Sequence, residues 1–128
     1  MFARPVPDRG FTLIELLVAL AVIALLLSIV APRYFSGVTR AEEAALHENL
    51  RVLRDAIDKH YGDIGRYPDS LEELAARKYI RSLPADPITQ SRDSWVLVPP
   101  ADPKMGRIFD VRSGANGNGL DGTPYGSW

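Results

Sequence analysis

Few residues in this 128-residue chain have types and spacings that could do chemistry. Glu15 is a lone carboxylate five residues after Gly10, in Gly10-Phe11-Thr12-Leu13-Ile14-Glu15, at the head of an almost wholly apolar stretch ending at Ala31. An ionised acid in such a stretch is costly in lipid and calls for a partner. The two histidines, His47 and His60, lie thirteen positions apart on one expected helix, and cysteine is absent. That excludes thiol chemistry, disulfides and cysteine-ligated zinc. Ser113 and Asp110 would need a histidine to form a hydrolytic set, and no Gly-rich loop leads into a Lys-Ser or Lys-Thr pair that would cradle phosphate. An enzyme is therefore not expected. The tail from Arg112 to Trp128 holds five glycines together with Asn116, Asn118 and Asp121. Two readings stay open there: a surface loop of polar turns, or a hard-cation site for calcium built from Asp121, backbone carbonyls and Asn116 or Asn118.

The elements that position these residues follow from hydrophobic periodicity. Leu13 to Ala31 spans nineteen residues with only Glu15 and Ser28 polar. As a helix it would cover about 28 Å, close to a bilayer's hydrocarbon thickness. A secretory signal would have a shorter apolar core and a small-residue cleavage site after it. A buried core helix would need more surrounding protein than remains. One membrane span is expected, with the leader's Arg4 and Arg9 arguing weakly for a cytoplasmic N-terminal side. Without that leader thirteen basic residues face fifteen acidic ones, which gives no case for nucleic acid as a partner.

Beyond Pro32 the pattern continues. Val38, Ala41, Ala45, Leu46, Leu50, Leu53, Ile57 and Tyr61 recur at three- and four-residue steps, with Arg40, Glu43, Glu48, Arg51, Arg54, Asp55 and Lys59 around the other faces. One long helix is expected, its first half in lipid and its second half packing an apolar stripe on a small domain. Pro32 would remove one internal hydrogen bond, Gly37 adds a second weak point, and Gly62 reads as the stop. A short helix follows, capped by Ser70 with Glu73 three residues on. The proline-punctuated stretch 79–87 reads as ordered loop. Strands are expected at 94–98 and 107–111, antiparallel and packed on Leu53 and Ile57, with Tyr125 and Trp128 anchoring the tail.

The head of the chain resembles the processing and assembly signal of the type IV pilin superfamily: Gly10, Phe11, the acid Glu15 and Pro32 fall where that family has them. Arg66-Tyr67-Pro68, Ser70 to Leu74, Pro84-Ala85-Asp86-Pro87, Trp95-Val96-Leu97, Phe109 to Gly114 and Trp128 together resemble the major pseudopilins of type II secretion. The resemblance implies an α+β, pilin-like fold with a cleaved leader 1–10, a transmembrane helix half 11–32 and a periplasmic domain 33–128. It further implies cleavage between Gly10 and Phe11 by a prepilin peptidase, N-methylation of Phe11, and an assembly role for Glu15 and Pro32. The product would be a homopolymer with minor pseudopilins, built on an inner-membrane platform driven by a separate ATPase, that helps export folded proteins. The runner-up is a type IV pilin for adhesion, twitching or DNA uptake. A membrane-anchored binding module is a third reading. The resemblance also favours calcium at Asp121, although this tail has Gly122 where family members commonly carry a second, adjacent acid.

Overall fold

In a computed structural model, residues 3–5 and 9–128 are described; the remaining leader residues, Asp8 among them, lie outside the described residues. The order is a long helix α1 (Leu13–Ile64), a short helix α2 (Leu71–Ala76), strand β1 (Val96–Val98), a single 3-10 turn (Pro103–Met105), strand β2 (Asp110–Arg112) and a second 3-10 turn (Tyr125–Ser127). This is the expected α+β arrangement. The chain divides into two units, Met1–Gly37 and Val38–Trp128.

The first unit carries the apolar head of α1. Leu16, Leu17, Leu20, Ile23, Leu27 and Val30 are all exposed, so this segment has no core of its own. It is long and apolar enough to cross a membrane. The helix is unbroken through Pro32, whose ring nitrogen has no proton to give to the Ser28 carbonyl.

The second unit is built on the stripe of α1. Leu46, Leu50, Leu53 and Ile57 are fully buried against Leu71 and Leu74 of α2, Ile80, Trp95, Ile108 and Val111. The stripe differs from the apolar pattern at its ends. Val38, Ala41 and Ala45 are exposed, whereas the polar Glu43 and His60 are buried. Both fit the same helical face, three residues before Leu46 and three after Ile57, and each is kept there by hydrogen bonds. His60 places Nδ1 2.8 Å from the Arg66 carbonyl oxygen and Nε2 3.2 Å from Glu73 Oε1, which ties the end of α1 to α2.

α1 runs past Gly62 and ends before Gly65, whose φ of +83° suits the left-handed residue that closes a helix. Ser70 caps α2 by accepting the Glu73 N–H at 3.2 Å, and Glu73 Oε2 accepts the N–H of Asp69 at 2.9 Å. β1 and β2 pair antiparallel, Leu97 opposite Val111. β2 starts later than the expected 107–111 because the Arg107 and Ile108 amides bond the Pro68 carbonyl instead of β1. Gly114 is required where it stands: a Cβ there would be driven into the Ser94 carbonyl oxygen.

The proline-rich loop is fastened by Asp86, which is fully buried. Its Oδ1 accepts the Ile88 N–H at 2.8 Å, and its Oδ2 accepts the Ser113 hydroxyl. Trp95 Nε1–H donates to the Pro84 carbonyl at 2.9 Å, so both ends of Pro84-Ala85-Asp86 are held.

Candidate functional site

Thr12 and Glu15 cap the head of α1 reciprocally. Thr12 Oγ1 accepts the Glu15 N–H at 3.2 Å, and Glu15 Oε2 accepts the Thr12 N–H at 3.4 Å. The Leu16 N–H donates to the Thr12 carbonyl at 3.1 Å as the first helical bond. This is a capping box, and the Thr-x-x-Glu spacing that announces it is in the sequence. Sequence reasoning found the same pattern at Ser70 and overlooked it here. Its consequence is that Glu15 has a partner inside its own chain, one peptide unit away from the residue that cleavage would free. Arg9, Gly10 and Phe11 share a surface hollow with Glu15. Phe11 is 88% exposed, and among the described residues nothing lies within 4 Å of where a Gly10 Cβ would sit, so the Gly10–Phe11 bond is open to its surroundings.

The expected metal residues are placed differently. Asn116, Asn118 and Asp121 are all exposed. Asp121 Oδ1 accepts both the N–H of Thr123 at 2.9 Å and its hydroxyl at 2.6 Å, bonds that hold the Asp121 carboxyl below the usual range. Asn118 pairs through its backbone with Pro124. The acid that α1 brings to this loop is Glu43, whose Oε1 accepts the Leu120 N–H at 2.8 Å and the Tyr125 hydroxyl at 2.9 Å. The buried Tyr125 hydroxyl is raised above its ordinary pKa, by burial first and then by the bond to Glu43. Among the described residues no three His, Cys, Asp or Glu side chains converge. Calcium prefers several carboxylate and carbonyl oxygens free of other duties. Asp121 is the one carboxylate among the expected donors, and its Oδ1 is already bonded twice.

The remaining tail contacts are anchors. The His47 ring stacks on Trp128 with centroids 4.2 Å apart and 5° between planes. Arg54 donates to Asp110 Oδ1 at 2.9 Å and to the main-chain oxygens of Val111 and Trp128. Both expected anchors, Tyr125 and Trp128, are so used. The histidines are engaged away from Ser113, whose hydroxyl donates to Asp86.

Comparison with known proteins bears on the head and the body separately. Residues 7–31 match the family described as the prokaryotic N-terminal methylation motif. Over 123 residues the chain is 28% identical to the type II secretion system core protein G of Klebsiella michiganensis, covering 91% of this chain and 87% of that protein. To the protein of the same name from Klebsiella pneumoniae it is 30% identical over 96 residues, 62% of this chain and 69% of the relative. The type IV major pilin protein PilA of Myxococcus xanthus is 33% identical over 67 residues, but only 30% of that protein is covered. No solved structure gives a significant match. A methylation motif at the head, and likeness through the body to proteins of one name, place the chain in the family of the type II secretion system core protein G.

Proposed function

We propose that this chain is the structural subunit of a type II secretion pseudopilus, cleaved between Gly10 and Phe11, methylated on the Phe11 amine and polymerised from the inner membrane with its 38–128 unit in the periplasm. The observation that carries the reading is the Thr12–Glu15 capping box beside the open Gly10–Phe11 bond, at the head of a membrane-length apolar helix. Prepilin peptidase, minor pseudopilins and an inner-membrane platform with a separate ATPase complete the system.

The physical logic has two parts. Cleavage turns an amide into an amine, so the new cation at Phe11 of one subunit gives Glu15 of its neighbour a charged partner where lipid offers none. That pair sets the axial register of stacked helices. The exposed apolar faces carrying Leu16, Leu20, Ile23 and Leu27 then pack helix on helix. Because such contacts are heterologous and need not close, they give an open helical polymer.

N-terminal mass spectrometry of the membrane-extracted protein tests the first part: a chain beginning at N-methyl-Phe11 is expected. Glu15→Leu tests the second. It should insert normally and lose most of the sedimentable polymer, and a full polymer yield would overturn the register role.

A further inference from the structure

We propose that the tail loop, residues 116–128, is closed in this chain by a latch made only of protein groups and centred on Glu43, and that it takes no calcium ion. The inference does not depend on the filament reading.

A cation in a glycine-rich loop has one structural task, to hold successive turns together through their oxygens. Here each of those turns already has a tie. Glu43 is 9% exposed and takes one donor from each side of the Asp121 turn, Leu120 N–H before it and Tyr125 O–H after it. Within the turn, Gly119 N–H donates to the Thr123 carbonyl at 2.8 Å and Gly122 N–H to the Gly119 carbonyl at 3.0 Å. The Thr123 hydroxyl links outward as well, donating to Asp121 and accepting Trp128 Nε1–H at 2.7 Å.

The helix is arranged to grip this loop. Residues four apart share a helical face, so Glu43 and His47 both point at it, one by hydrogen bonds and the other by stacking on Trp128. Arg40, a turn earlier, lines the same cleft as Glu43, Leu120 and Asp121. Its fixed charge opposes a divalent ion at the place where one would enter. Both bonds to Glu43 fall on Oε1 and both bonds to Asp121 fall on Oδ1, so an ion would have to compete with two donors at each of those oxygens. A charge-assisted bond of this kind is stronger than a neutral one, and leaving its donors unpaired in a buried place costs more than the bond itself contributes.

The test uses the full chain in detergent micelles. Terbium is added and excited through tryptophan, Trp128 standing beside the loop, and thermal unfolding is compared in excess EDTA and in millimolar calcium. A native-state site at a hundredfold its Kd would raise Tm by on the order of 10 °C. Neither saturable terbium emission nor any such rise is expected. Amide exchange then reads the latch itself. Leu120 should exchange roughly 10- to 100-fold faster in Glu43→Ala and less so in Glu43→Gln, which keeps an acceptor oxygen. Saturable emission with a calcium-dependent rise in Tm overturns the proposal, as does unchanged Leu120 exchange in Glu43→Ala. If that variant does not fold, Glu43→Gln supplies the comparison, and exchange unchanged there has the same force. The ion measurements need only the unaltered chain.

Discussion

Replacing Asp86 offers the sharpest check on how the 38–128 unit is held together. The side chain is fully buried and fastens two separate segments, Ile88 through Oδ1 and Ser113 through Oδ2. In Asp86→Ala the Ile88 N–H and the Ser113 hydroxyl lose their acceptor inside the fold. Each stranded donor costs roughly 1–3 kcal/mol, so the pair amounts to about 4 kcal/mol. A domain of this size has a total stability on the order of 10 kcal/mol, and the variant should lose a large share of it. Asp86→Asn keeps the Oδ1 acceptor and turns an amide toward the Ser113 oxygen, so about 1 kcal/mol is expected. Adding Ser113→Ala to Asp86→Ala removes the stranded hydroxyl but takes from the buried Ala115 N–H the acceptor it has in Ser113 Oγ at 3.1 Å, so no recovery is expected from the double variant. Urea unfolding of the full chain in micelles, followed by tryptophan fluorescence, measures all of these; Trp95 donates to Pro84 two residues from the site. Equal losses for the Ala and Asn variants, or a loss below about 1 kcal/mol for Ala, would refute the reasoning.

Two further outcomes follow from local geometry. Lys78 sits at φ +63° just beyond α2, where its N–H donates to the Ala75 carbonyl. Lys78→Gly should therefore stabilise the unit by roughly 0.5–1 kcal/mol, read as a higher urea midpoint at unchanged slope. Glu73 lies below its ordinary value of 4.5, chiefly because it accepts the Asp69 N–H and then because of His60 and Arg77. A carboxylate depressed in the folded state adds stability that is complete above its unfolded value and vanishes as pH falls through the folded one. The stability difference between the natural chain and Glu73→Gln should thus be flat above about pH 5 and shrink below it, as paired pH-dependent melts would show.

What the sequence revealed and what it hid divide along physical lines. The long helix, its burial of Leu50, Leu53 and Ile57, the Ser70 cap and the tail anchors were legible because apolar spacing and capping chemistry are local signals. Gly62 misled because one glycine inside a helix costs only about 1 kcal/mol, and Gly65, able to take positive φ, stands three residues later. The late start of β2 depended on the Pro68 carbonyl, forty residues away in sequence, accepting the Ile108 amide. Glu43 and His60 escaped a pattern that counted only apolar residues, although both continue the stripe by position. The bonds between Glu15 and Thr12 were legible too, in the same Thr/Ser-x-x-Glu spacing that announces the Ser70 cap. Asp121, Asn116 and Asn118 were legible as oxygen donors in a glycine-rich tail, whereas the two bonds from Thr123 to Asp121 Oδ1 depend on a turn that the sequence does not spell out.

The ties between α1 and the tail are far apart in the chain: Glu43 to Leu120 spans 77 residues, Glu43 to Tyr125 spans 82 and Arg54 to Trp128 spans 74. At about 5–20 residues per second, a ribosome needs several seconds after making Glu43 before it has made the groups that Glu43 will hold. Leu71, Leu74 and Ile80 are made early in that interval, but Ile108 and Val111 come only near its end, so Leu46, Leu50, Leu53 and Ile57 stay incompletely covered until then. Maturation of this unit is consequently a late event in biosynthesis, and the newborn stripe spends its first seconds as an open target for chaperones, proteases or the lipid surface.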